Sequence, residues 1–292
     1  MLRVALLILA STLLAACATP KRAPDLGLTE DARAETIVLG FQQQEITVDK
    51  PDVNAGGGLL GAIIEGIAES TMDKNRQEAL APLRNALADY EFEPKLRAAI
   101  DPAWPSRYFA DQRETIVVRS HDDWSEELAR RNGPNLGGLV VKYAFSPDFE
   151  LLYVHAGVRA GDIGLVRDKK GRPKEKYKSS EASKGKVVGA SYYAIYPLAD
   201  DGKFRDNAAR WTAEGGRLAR EALDAAVVEI ADLIRRDLAS PLQGDTTQKQ
   251  RFLLPTGSGL LNMKGELVET RNGRRLLSVG STMVWTASDE SR

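Results

Sequence analysis

Two histidines, one cysteine and a few paired carboxylates are the side chains here from which catalysis or metal binding could be built. A nucleophilic triad needs an imidazole as its base, which restricts one to His121 or His155. His121 stands before Asp122, Asp123 and Trp124 at an expected helix start. The acids there favour imidazolium and the helix dipole opposes it. His155 lies between Val154 and Ala156 in an expected strand, where a half-buried structural histidine is the simpler reading. No G-x-S-x-G elbow occurs, since Gly257-Ser258-Gly259 lacks the spacing. Asp122-Asp123 and Asp200-Asp201 lack the alternating oxygen ligands of a calcium loop and read as caps or turns. No metal and no cofactor is expected. Gly56-Gly57-Gly58 before a helix could offer backbone N–H groups to an anion, but neither G-x-G-x-x-G nor a Walker A sequence is present. A hydrolase would therefore have to use some of the many Asp and Glu residues.

Two segments suit contact better than chemistry. Gly58, Ala62 and Gly66 recur every four residues, a pattern that lets helices approach closely. Leu60, Ile63, Ile64 and Ile67 around them form either core or a partner- or membrane-contacting face, and an oligomeric or pore-forming role would start here. Residues 167–186 hold nine basic and three acidic side chains between two expected strands. That is the composition of a long exposed loop. Lys169, Lys170, Arg172, Lys174, Lys176 and Lys178 are its candidate contacts for lipid phosphates or an acidic partner. Trp104, Trp124, Trp211 and Trp285 are expected in the core. The whole chain has a net charge of -1 and no electrostatic pull toward nucleic acid.

The N-terminus carries an address. Arg3 precedes an apolar or small run over residues 4–16, too short for a membrane span and right for a signal-peptide core. It ends Leu14-Ala15-Ala16-Cys17, at the only cysteine of the chain. Here the sequence resembles bacterial lipoproteins, whose lipobox is Leu, a small residue, Gly or Ala, then Cys. The resemblance implies cleavage between Ala16 and Cys17, diacylation of the Cys17 sulfur and acylation of its new amino group. Several acyl chains anchor stably where one does not. Ala18, rather than Asp, implies outer-membrane retention by enterobacterial-type sorting, with the body facing the periplasm.

The elements that must position these residues follow from spacing. At 292 residues, with 43% hydrophobic and 28% charged, the chain is an ordinary globular one, and a lone cysteine excludes an internal disulfide. Residues 1–16 read as signal peptide, 17–35 as lipidated cysteine and tether, 36–287 as one globular domain, and 288–292 as a polar tail. Strands are expected at 37–41, 46–48, 115–120, 139–146, 150–158 and 186–196. Helices are expected at 59–90 with an interruption at Pro82, at 93–100, at 122–131, and at 206–238 with a break at Gly215-Gly216. Asn272-Gly273 between apolar pairs predicts a C-terminal β-hairpin. The fold class is α+β, a mostly antiparallel or mixed sheet covered by two long helical regions. This alternation loosely resembles the α/β modules of some periplasm-facing envelope lipoproteins. The function expected is a non-enzymatic accessory or assembly factor, anchored in the membrane through Cys17 and binding an envelope protein.

Overall fold

Alternation of apolar side chains along the middle strands gives the sheet two buried faces. The computed structural model describes residues 34–41, 45–49, 59–104, 109–119, 126–127, 130, 136–161, 165–167, 173–175, 187–198, 202–256 and 259–288. In chain order these form β1 (Ala34–Phe41), β2 (Thr47–Val48), α1 (Leu59–Ala86), α2 (Phe92–Ile100), a 3-10 turn (Asp101–Ala103), β3 (Phe109–Val118), β4 (Leu136–Phe145) and β5 (Leu151–Gly161). The short β6 (Leu165–Arg167) and β7 (Pro173–Glu175) come next. Then follow β8 (Val187–Pro197), α3 (Phe204–Ala239), β9 (Asp245–Thr256), β10 (Gly259–Arg271), β11 (Arg274–Val279) and β12 (Thr282–Ala287).

Ten strands make one mixed sheet in the order β3-β1-β4-β5-β8-β12-β11-β10-β9, with β2 pairing beside β4. The pairs β1–β3, β1–β4, β2–β4 and β8–β12 are parallel, and the remaining pairs of this sheet are antiparallel. Parallel neighbours need a crossover. Helices α1 and α2 stand between β1 and β3 in the chain, and α3 stands between β8 and β12. On β5, Leu152, Val154, Ala156 and Val158 join the core under the helices. Leu151 and Tyr153, one step out of phase, join a second cluster with Ile195, Phe252, Leu277 and Val284 on the other face.

The helices cover the first face through residues the spacing picked out. Leu223, Val227, Ile230, Ile234 and Leu238 of α3 are all buried. Ala213–Gly216 leave helical geometry, with φ of 53° at Glu214, 66° at Gly215 and 76° at Gly216. Glycine is favoured at 216 on two counts. Its φ suits glycine, and a Cβ there would stand 3.3 Å from the Cβ of Ala86 on α1. At the other end of the chain, Asn272 (φ 53°) and Gly273 (φ 70°) form the two-residue turn joining β10 to β11.

Several expectations are corrected. Strand β1 begins at Ala34, inside the range 17–35 expected as tether, because Ala34 is buried with the core. Helix α1 runs through Pro82 without a break. Pro82 and Glu78 are both exposed residues, so the hydrogen bond that proline removes from the Glu78 carbonyl is lost on the outer side of the helix and not in the core. The strand expected at 115–120 begins at Phe109 and ends at Val118. The basic segment, expected as one long loop, contains β7, which pairs antiparallel with β6 at the segment's leading edge. The C-terminal hairpin is part of a four-strand antiparallel run, β9 to β12. The helix expected at 122–131 lies largely outside the described residues. No described helix is long and apolar enough to cross a membrane.

Candidate functional site

A lysine in an otherwise apolar strand demands an acid, and Lys142 in β4 finds one. Its Nζ bonds Oδ1 of Asp49 at 2.5 Å, and the Tyr153 hydroxyl donates to Oδ2 at 2.6 Å. Strand β2 delivers Asp49 by pairing in parallel with the end of β4, Val48 opposite Phe145. The Asp49 side chain is 5% exposed and that of Lys142 is 25% exposed. Lys142, His155 and Tyr193 lie opposite one another on β4, β5 and β8. The imidazole of His155 stacks on Tyr193, with ring centroids 4.3 Å apart and planes 19° from parallel. Its Nε2 is shielded from solvent and makes no hydrogen bond among the described residues.

Burial, assisted by the Lys142 charge, pushes His155 down to about 4 from its ordinary 6.5. The Tyr153 and Tyr193 phenols are raised, by burial first and by the Asp49 carboxylate next. The cluster is thus a neutral imidazole and two protonated phenols around one ion pair. The groups directly opposite His155 are a lysine and a tyrosine, not a serine hydroxyl.

His155 makes a prediction. The unfolded chain takes up a proton near pH 6.5 that the folded chain refuses until about pH 4. Its contribution to stability is therefore complete above pH 6.5 and is lost as pH falls toward 4, by at most about 3 kcal/mol. Urea titrations of wild type and His155→Phe between pH 7.5 and 4.5 test this. The variant should lose less stability on acidification, and identical pH slopes would rule the assignment out.

The second buried carboxylate of the described residues is Asp237. It accepts from the Tyr192 hydroxyl at 3.0 Å and from the Leu242 backbone N–H at 2.8 Å. Tyr192 belongs to the core under the helices, whereas Tyr153 faces the other way. The two buried carboxylates therefore sit on opposite sides of the sheet and cannot share a substrate. Among the described residues no three His, Cys, Asp or Glu gather as metal ligands.

A groove of about 340 Å³ opens where the end of α1, the start of α2, β4 and α3 meet. Its buried floor includes Ile46, Phe92, Tyr143 and Leu223. Phe92 and Tyr143 contact each other at 4.2 Å between centroids. The rim carries Glu45, Arg84 and Asn85. Arg84 donates its Nε to the Ile46 carbonyl at 3.1 Å, and the same nitrogen lies 3.4 Å from Glu45 Oε2.

Most residues singled out from the sequence lie outside the described residues: Ala16, Cys17, Gly56 to Gly58, His121, Asp122, Asp123, Asp200, Asp201, Lys169, Lys170, Arg172, Lys176 and Lys178. Leu60, Ile63, Ile64 and Ile67 are on the first turns of α1, and Lys174 is on β7. Of the two histidines, His155 is among the described residues and His121 is not. Asp49, Glu45 and Arg84 escaped sequence reasoning. The one usable signal was the charged Lys142 within Leu139-Val140-Val141-Lys142-Tyr143-Ala144-Phe145. Comparisons with known protein families, curated proteins and solved structures find no match.

Proposed function

We propose that the chain is an envelope lipoprotein, anchored through acylated Cys17 on the periplasmic side of the outer membrane. Its α+β body acts there as a non-enzymatic accessory or assembly factor that binds an envelope protein. The observation that carries this is Leu14-Ala15-Ala16-Cys17 closing an apolar leader at the chain's only cysteine. Support for binding over hydrolysis comes from the two buried carboxylates. Each is held by structural partners, and they lie on opposite faces of the sheet.

Crosslinking of the tagged protein in growing cells, with Cys17→Ala as control, tests both parts. Wild type should fractionate with the outer membrane, begin at Cys17 by intact mass with its acyl chains attached, and capture a specific envelope protein. Cys17→Ala should leave the membrane fraction almost entirely and lose that partner. A wild-type mature form with a free thiol at Cys17 would end the anchoring reading. Outer-membrane protein that captures no partner would end the accessory-factor reading.

A further inference from the structure

We propose that the groove between α1, α2, β4 and α3 is a binding site for a small zwitterion with an aliphatic body, of amino-acid to dipeptide size. Its volume of about 340 Å³ falls in the range of small-molecule sites. The floor is apolar and aromatic, while the charges stand together on one rim. Glu45 supplies a carboxylate and Arg84 a guanidinium, 3.4 Å apart. This juxtaposition selects the ligand class. A simple cation drawn to Glu45 meets the Arg84 charge beside it, and a simple anion drawn to Arg84 meets Glu45. A ligand carrying an ammonium and a carboxylate satisfies both and leaves its side chain to cover Ile46, Phe92, Tyr143 and Leu223.

The existing Glu45–Arg84 pair does not close the site. The Glu45 side chain is 69% exposed and that of Arg84 is 30% exposed, so the pair itself contributes little and yields readily to a ligand. The bond from Arg84 Nε to the Ile46 carbonyl fixes the guanidinium at the rim, and its terminal nitrogens still carry four N–H donors for a carboxylate. The phenol of Tyr143 in the floor is pushed up to about 12, by burial and then by the charges of Glu45 and Glu93, and stays protonated. The site does not depend on Cys17: the groove lies wholly within the folded body, so its failure and the failure of anchoring are separate results.

Calorimetry on the full chain tests the assignment, with leucine, the dipeptide alanyl-leucine, and the dipeptide's N-acetyl and C-amide forms as probes. Saturable heat is expected with the free zwitterions, weakened about tenfold or more by either cap. Glu45→Gln alters only an exposed side chain, and should bind the free and N-acetyl dipeptides with nearly equal affinity. Ala88→Trp, at an exposed position on the rim, should abolish binding while leaving the melting curve in place. Absence of saturable heat with both leucine and the dipeptide would overturn the proposal. So would caps that make no difference, or undiminished binding in Ala88→Trp.

Discussion

Trp211→Ala is expected to destabilise the protein by about 3–5 kcal/mol, the range for emptying a fully packed indole site. Trp211 is 1% exposed and lies on the first part of α3, ahead of the break at Ala213–Gly216. Its ring meets Phe145 at 5.3 Å, and its Nε1 donates to the Phe149 carbonyl at 2.8 Å. Phe149 belongs to the β4–β5 turn and holds a φ of 59° with its ring buried. Asn207 makes a second link, from its amide nitrogen to the Asp148 carbonyl at 3.0 Å. The first part of α3 is thus fastened to one turn, while the second part packs on the sheet through its own apolar stripe. Hydrogen exchange at 204–212 and 146–150 should therefore accelerate together in Trp211→Ala, and less at 217–239. Trp211→Phe keeps a ring in the cavity and forfeits the bond to Phe149, so it should cost less, about 1–3 kcal/mol. Uniform acceleration along the whole chain would show that the indole is general core and not a local fastening.

What the sequence reveals and conceals here divides by range. Asn272-Gly273 needs positive φ at two adjacent residues and sits between apolar pairs, so the turn is readable from four residues. The stripe from Leu223 to Leu238 and the break at Gly215-Gly216 are equally local. Strand β9 is not legible in the sequence because its first half carries no alternation. Thr246, Thr247, Gln248 and Lys249 are all exposed, and the register with β10 slips between Glu266 and Leu267, which pair with Lys249 and Asp245. Such an irregular, polar edge resists further strand pairing and hides the strand from pattern reading.

The candidate site was concealed for a different reason. Arg84 reaches Ile46 across 38 positions, and Tyr153 reaches Asp49 across 104. Those encounters depend on β2 lying parallel beside β4, and periodicity within a segment says nothing about which strands become neighbours. Alternation along one strand does place Tyr153 and His155 on the same face, while Asp49, the partner of Tyr153 and Lys142, cannot be reached that way.

That missing partner sets the second large effect. Lys142→Met should cost about 3 kcal/mol or more, because it leaves the Asp49 carboxylate buried with one hydrogen bond from Tyr153. The reverse substitution is not equivalent. Lys142 keeps 25% of its side chain exposed, against 5% for Asp49. In Asp49→Asn the ammonium can turn toward water while its methylenes stay packed, so that variant should lose clearly less than Lys142→Met. The double variant Lys142→Met/Asp49→Asn removes both charges and should recover most of the loss. Urea unfolding of the four proteins at pH 7 gives the coupling directly. Equal single losses would mean that the lysine is as sequestered as the aspartate. Strictly additive losses would mean that the bond between them contributes nothing to the fold, and that Asp49 is held by Tyr153 alone.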